Sequence, residues 1–423
     1  FFSGVFIDCG ADSGITLNGI QWIPDAGYVS AGTPRAISVP VLAPILAKLR
    51  SFPLRNNVFK KFCYEIPVDR ARKYLVRTSY YYGGVNGNAN PPVFDQIVDG
   101  TFWSVVNTTV DYANGSASYY EGIFMPKGKN LSVCVAANTY TDSDPFISAL
   151  EVVLLFDQLY NSTDFTSNAL ALIARHSFGD DGRIVEFPDD RFNRYWQPFG
   201  AYSFMQTSSR DLSVSGIWNL PPSKVFETRL ASGLTETLTL SWPPGILPDV
   251  ENNYYIALYF ADLQTSSGSS RMMDIAINGI AYYRNLTVSP EGLVVFANQW
   301  RLNGSTTLSL TSSPGSSGGP LINAGEVFQV IPSVGRTLSR DVIALLDLRN
   351  SFLNPPVDWN GEPCLPSQFA WTGITCSGGI RNRVVSLNLT GMGLSGIISP
   401  TIAQLTALKN IFLGNNSLYG VIP

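Results

Sequence analysis

His176 is the single histidine of this 423-residue chain, and "ARHSFGDDG" sets Ser177 and Asp180 close behind it. Serine hydrolysis needs an imidazole oriented by a carboxylate and within reach of an activated hydroxyl. No Gly-x-Ser-x-Gly elbow surrounds Ser177, so His176 reads as a packed or surface residue. Glycoside hydrolysis asks only for two carboxyl groups flanking a bond. Asp180 with Asp181 and Asp189 with Asp190 are the candidates, but sequence neighbours cannot be assumed to flank anything. In "FPDDRFNRYWQPF" the acids can instead bond loop backbone or pair with Arg191 and Arg194, or hold a calcium ion.

The five cysteines offer a third chemistry. "WNGEPCLPSQFAWTGITC" (359–376) carries Cys364 and Cys376 with eleven residues between them. Without a second Cys-x-x-Cys or a nearby histidine, a zinc site lacks ligands. A redox pair would want closer spacing beside a βαβ unit. Neither catalysis nor a cofactor is implied.

The elements that position these residues are strands. Charged residues make up 14% of the chain, against 37 Gly, 27 Pro, 19 Tyr and 24 Phe, a balance that suits short strands and turns. A net charge of -4 and the lack of a basic run leave no footprint for nucleic acid. The longest apolar runs, such as "LEVVLLF" (150–156), are strand-length and short of the ~20 residues that span a bilayer. Asn-x-Ser/Thr acceptors occur at Asn107, Asn114, Asn130, Asn161, Asn285, Asn303, Asn388 and Asn415. Together with a start that has neither Met nor a basic leader, they predict a secreted, glycosylated surface.

Three local matches recur at nearly constant offset. "KYLVRTSYYYG" (73–83) matches "NYYIALYFADL" (253–263), "VFDQIVDG" (93–100) matches "MMDIAING" (272–279), and "DPFISALEVVLL" (144–155) matches "GPLINAGEVFQV" (319–330). The pattern predicts two copies of one β domain, 1–156 and 173–331, joined by a linker at 157–172. Strand signals at short, regular spacing read as a jelly-roll or similar sandwich in each copy.

After Ile331 the pattern turns helical. Ser339 is placed to cap a helix whose Val342, Leu345, Leu346 and Phe352 share a face, with Asp341 near its positive end. Leu387, Leu389, Leu394, Gly396 and Ile398 then recur 24 residues on as Ile411, Leu413, Leu418, Gly420 and Ile422, a leucine-rich repeat over 379–423. Asn416 falls where the repeat's asparagine bonds backbone inside the turn, and Met392 holds the equivalent place one repeat earlier. Such repeats need a cap, and 332–378 supplies it.

"FIDCG", "FCYEIPV", "DPFISALEV" and "FPDDRFNRYWQPF" resemble the tandem malectin-like domains of plant cell-surface receptors. With the 24-residue repeats and a Gly-Glu-Pro-Cys element (Gly361 to Cys364) where the family usually has Gly-Asp-Pro-Cys, the chain resembles malectin-like leucine-rich-repeat receptors. The resemblance implies a mainly β fold, two tandem malectin-like jelly-roll or sandwich domains before a capped repeat segment, on the extracellular side of the plasma membrane. In that setting Cys364 and Cys376 are expected to form a disulfide worth about 3 kcal/mol in the chain-entropy model. Cys63 with Cys134 is the next expected pair, which leaves Cys9 free.

The resemblance makes the expected function non-catalytic recognition of a cell-wall carbohydrate. The alternatives are a secreted peptide or protein ligand, and, third, a carbohydrate-active enzyme. Sugars bind on aromatic faces flanked by polar groups. Tyr81, Tyr82, Trp103, Tyr119 and Tyr120 in copy one and Tyr195, Trp196 and Tyr202 in copy two are the candidates. Against the sugar reading, malectin's aromatic pair aligns with Gly84 and Val85 in one copy and Gln264 and Thr265 in the other. Its sugar-contacting Asp aligns with Ser143 and Gly318. A cleft between the domains would suit a peptide, and the repeats a co-receptor. Any membrane span would lie outside these residues.

Overall fold

The computed structural model describes residues 3–40, 43–54, 60–87, 90–179, 182–200, 205–207, 212–263 and 270–423. It is mainly β and falls into two compact units. One is built mainly on Val153–Ile331, the other on Gly4–Tyr120, Phe124–Val152 and Pro332–Pro423.

The duplication is visible in the strand order. In the first β domain a four-stranded antiparallel sheet runs Lys61–Pro67, Asn130–Ala137, Phe94–Val98, Thr101–Val106. In the second, Leu238–Ser241, Thr307–Ser312, Arg271–Ile277 and Ile280–Val288 take the same order. Both copies close a hairpin on a turn that needs positive φ, Asp99-Gly100 in one and Asn278-Gly279 in the other.

Alternation assigns the faces of Lys61–Pro67. Phe62 and Tyr64 point inward and pack on Phe52, with ring centroids 5.3 and 6.4 Å away. The facing sheet contributes Thr78 and Tyr80, whose hydroxyls meet the buried Gln96 amide oxygen at 2.9 and 3.1 Å. In the second domain Tyr254, Ile256, Leu258 and Phe260 of Asn252–Phe260 join Met273, Ile275, Leu308 and Leu310 in one core. The alternate residues Tyr255, Ala257 and Tyr259 are buried as well, so this strand is covered on both faces.

The expected linker at 157–172 is packed. Leu159 and Tyr160 are buried, and the Tyr160 hydroxyl donates to Glu326 at 2.7 Å. The strand Asn168–Phe178 begins five residues before the expected start of copy two.

The helix Ser339–Ser351 takes Ser339 as its first residue, one position past the cap role read for it. Leu338 stands at the cap, and no side chain caps the helix. Backbone pairing holds the chain extended through Leu338, whose N–H donates to Asn382 at 2.9 Å, so Ser339 is the first residue free to turn. The buried face is Ala344, Leu345, Leu348 and Phe352; Leu346 is 36% exposed. Asp341 is buried, accepting from Arg383 Nε at 2.9 Å and Val384 N–H at 3.0 Å. It therefore ties the helix to the first repeat strand.

Trp359 and Trp371 stack at 5.3 Å and 24° over the apolar end of the repeats, with Leu387, Leu389 and Leu394 beneath. The repeat strands pair in parallel, Leu387 beside Ile411. Asn416 accepts from Leu394 N–H at 2.9 Å and donates to Leu389 and Leu413 carbonyls at 2.8 and 2.9 Å. Cys364–Cys376 and Cys63–Cys134 are both disulfides, and Cys9 is a buried free thiol.

The cap rests on the outer face of the Lys61–Pro67 sheet. Lys61, Cys63 and Glu65 point toward it, and Phe369 joins the Cys63, Ile97, Cys134 cluster. Cys63 N–H donates to the Asn360 amide oxygen at 2.9 Å, and Lys61 Nζ donates to the carbonyls of Glu362 and, at 2.5 Å, Leu365.

Candidate functional site

The aromatic candidates of the first domain are mostly core. Tyr81, Tyr82 and Trp103 are 6%, 2% and 4% exposed. Tyr81 donates to the Pro40 carbonyl at 3.0 Å, Tyr82 packs on Tyr112 and Phe146, and Trp103 packs edge-on against Phe124 at 5.2 Å. Tyr119 and Tyr120 are half-buried; Tyr120 packs edge-on against Tyr80, and its hydroxyl accepts from Asn107 N–H at 3.0 Å. A pyranose needs an open ring face, and the three buried rings give theirs to the core.

In the second domain Trp196 is wholly buried, with its indole N–H donating to Asp190 at 2.8 Å. The guanidinium groups of Arg175 and Arg194 lie 5.6 and 5.4 Å from its ring centroid. Tyr195 is half-buried, and Tyr202 lies outside the described residues. Trp196 belongs to a charged core rather than a platform.

That core also accounts for the acidic motif. Asp190 accepts from Arg194 Nε at 2.8 Å and from Phe192 N–H at 2.8 Å, leaving no oxygen for a substrate. Arg194 reaches on to the carbonyls of Asn219 and Leu220, and Arg175 pairs with Glu121 at 2.6 Å. Glu326 accepts from Tyr160 and Tyr259. Arg191 lies over Phe156 instead of pairing with an acid in that motif. Asp189 is exposed, and Asp180 and Asp181 lie outside the described residues. His176 accepts from Trp242 Nε1 at 3.0 Å, and burial pushes its pKa down to about 4. It is a core imidazole.

Sequence reasoning missed a groove in the second domain. A space of about 500 Å3 opens between the loop 215–220 and the strand Leu293–Leu302. Trp218 lies parallel to Phe296, centroids 5.4 Å apart and planes within 3°, and Phe296 is 39% exposed. Gln158, Ser215 and Asn219 supply amide and hydroxyl groups, and no lining residue carries charge. The loop is held open by Asn219 and Leu220, both at positive φ. Asn219 accepts from Tyr160 N–H at 2.8 Å and donates to Tyr255 at 2.7 Å. The available signal was a tryptophan in the Ser-, Gly- and Pro-rich stretch "SVSGIWNLPP", outside the tyrosine-rich strands.

All eight acceptor asparagines, Asn107 through Asn415, are exposed. Among the described residues no cluster of three or more His, Cys, Asp or Glu could hold a metal ion. Among them, too, no helix is long and apolar enough to cross a membrane.

Residues 7–330 match the family model of the malectin-like domain, and 338–377 that of the leucine-rich-repeat N-terminal domain. Receptor-like protein kinase At3g21340 of Arabidopsis thaliana is 31% identical over 409 residues, covering 93% of this chain and 44% of the relative. The probable LRR receptor-like serine/threonine-protein kinase At1g05700 of the same plant is 31% identical over 428 residues, covering 96% and 48%. The chain thus spans about half the length of the curated relatives it matches. Among solved structures, the ANXUR2 extracellular domain from Arabidopsis thaliana superposes with a TM-score of 0.64 at 15% identity, over 78% of this chain and 96% of that one. The complex of plant peptide RALF23 with FER and LLG2 contains a chain with a TM-score of 0.61 at 18% identity, over 78% and 95%. Those likenesses show the fold.

Proposed function

The chain belongs to the malectin-like domain family, and from that premise we propose that it is the ligand-recognising extracellular part of a plant receptor kinase, itself without catalysis, whose ligand is a secreted peptide or protein. The observation that carries the choice of ligand is the burial of Tyr81, Tyr82, Trp103 and Trp196. It withdraws four of the eight rings on which the carbohydrate reading rested. The engagement of Asp190 by Arg194 and of His176 by Trp242 argues against hydrolysis in the same way. The peptide named in the complex with FER, a protein of the same fold, supports a ligand of that class here. Eight exposed acceptor asparagines and two disulfides support an extracellular setting. The exposed repeat strands offer a co-receptor a separate surface.

The Trp218–Phe296 groove favours one second reading, a short neutral oligosaccharide, because its lining is aromatic, amide-bearing and uncharged. A panel of neutral cell-wall oligosaccharides presented to the immobilised chain separates the two. The peptide reading expects a silent panel. Saturable sugar binding that is abolished by Trp218→Ala replaces it with the carbohydrate reading.

A further inference from the structure

Ser132 stands between two carboxyl groups under the cap. Glu65 lies directly opposite Ser132 in the strand register. Asp99 takes Ser132 from the other side, accepting its backbone N–H at 2.9 Å and its hydroxyl at 3.3 Å. One Glu65 oxygen is buried with no hydrogen-bond partner, while Gly361 of the cap offers its backbone N–H to the same carboxyl. An orphaned buried oxygen beside a second acid suits a proton and penalises a charge.

The remaining charged groups at this joint are few. From the sheet side come Lys60, which pairs with Asp358 at 3.3 Å, Lys61, which reaches the Glu362 and Leu365 carbonyls, and Lys127, which donates to the Val334 carbonyl. From the cap side come Arg336, Arg349, Asp358 and Glu362, the last accepting from Thr337 N–H at 2.8 Å. Each lysine here already serves a cap group, and Lys61 and Arg349 only partly offset the charge of Glu65.

We propose that the joint between the strand Lys61–Pro67 and the cap stretch 358–365 is a proton-operated latch: with Glu65 and Asp99 neutral the cap stays seated on the sheet, and with both ionised it loosens. Burial, then the neighbouring Asp99, pushes Glu65 up to about 7, and burial pushes Asp99 up to about 6. A carboxyl whose pKa is raised in the seated state contributes its full stabilisation below its free pKa, and that contribution is lost as pH rises through the seated value. The window therefore runs from about 4 to about 7. Lys61, lowered to about 8 by burial, acts above this window and leaves it unchanged.

Hydrogen–deuterium exchange on the whole chain, corrected for the intrinsic pH dependence of exchange, reads the latch at residues 62–66 and 360–365. The expected result is a loss of protection of about tenfold or more between pH 5 and pH 7.5. Glu65→Gln keeps an oxygen for the Gly361 N–H without a charge, and should flatten that profile. Wild-type protection that does not change with pH, or a Glu65→Gln profile that superposes on wild type, overturns the proposal. If Glu65→Gln does not fold, Asp99→Asn, which also prevents both groups from being ionised together, gives the same contrast between pH 5 and pH 7.5, with the same two outcomes.

Discussion

The Asn360 side-chain amide oxygen accepts the backbone N–H of Cys63 at 2.9 Å, while its main-chain carbonyl accepts the Trp371 indole N–H at 2.8 Å. One residue thus joins the disulfide-bearing sheet of the first β domain to the tryptophan stack that caps the repeats. The cap and that domain form part of one compact unit.

Gly361 follows immediately, at φ +66, and a Cβ there would fall 2.5 Å from Cys63 Sγ. Gly361→Ala should therefore destabilise the chain by on the order of 1–3 kcal/mol, through positive φ and the clash together. Thermal unfolding followed by tryptophan fluorescence checks it. A Tm equal to wild type would mean the cap does not press on the disulfide.

The pair Arg194–Asp190 is wholly buried. Removing one partner strands the other, so Arg194→Met should cost about 3–5 kcal/mol in urea unfolding, and Asp190→Asn a similar amount. The double variant Asp190→Asn, Arg194→Met should cost less than the sum of the singles, because neither then strands a charge.

His176 gives the second β domain a pH dependence opposite to that of the cap. Its folded pKa, about 4, lies below the ordinary 6.5. Its stabilisation is complete above about 6.5 and is lost as pH falls toward about 4, on the order of 3 kcal/mol in all. His176→Gln, which keeps an acceptor for Trp242 Nε1, should lack that loss, so its stability profile should fall less steeply than that of wild type over the interval. A variant profile parallel to wild type would contradict the assignment.

Exposure of every acceptor asparagine predicts occupancy by a secretory host. Enzymatic deglycosylation that converts modified Asn to Asp, followed by peptide mass spectrometry, should report conversion at Asn107, Asn114, Asn130, Asn161, Asn285, Asn303, Asn388 and Asn415. Unmodified peptides throughout would remove the main support for an extracellular surface.

Periodicity made much of the fold legible. The duplicated β domain, the 24-residue repeat, and Asn416 in its turn follow from patterns that local geometry obeys directly. What periodicity cannot carry is what covers a face. Lys61, Cys63 and Glu65 alternate with Phe62 and Tyr64, but nothing in that alternation says that the cap lies on them. Tyr81, Tyr82 and Trp196 read as display aromatics because a tyrosine- or tryptophan-rich stretch looks the same whether its second face is open or packed. Trp218 was invisible for the converse reason: a single ring in a loop has no periodicity, and only the fold sets it beside Phe296.

Recognition of a secreted peptide or protein is tested most directly by equilibrium titration of the whole chain with a library of synthetic secreted plant peptides. Neutral cell-wall oligosaccharides serve as competitors. The account predicts at least one saturable peptide isotherm, of micromolar Kd or tighter, that the oligosaccharides do not displace. A silent peptide library beside an oligosaccharide that binds wild type and not Trp218→Ala would contradict it.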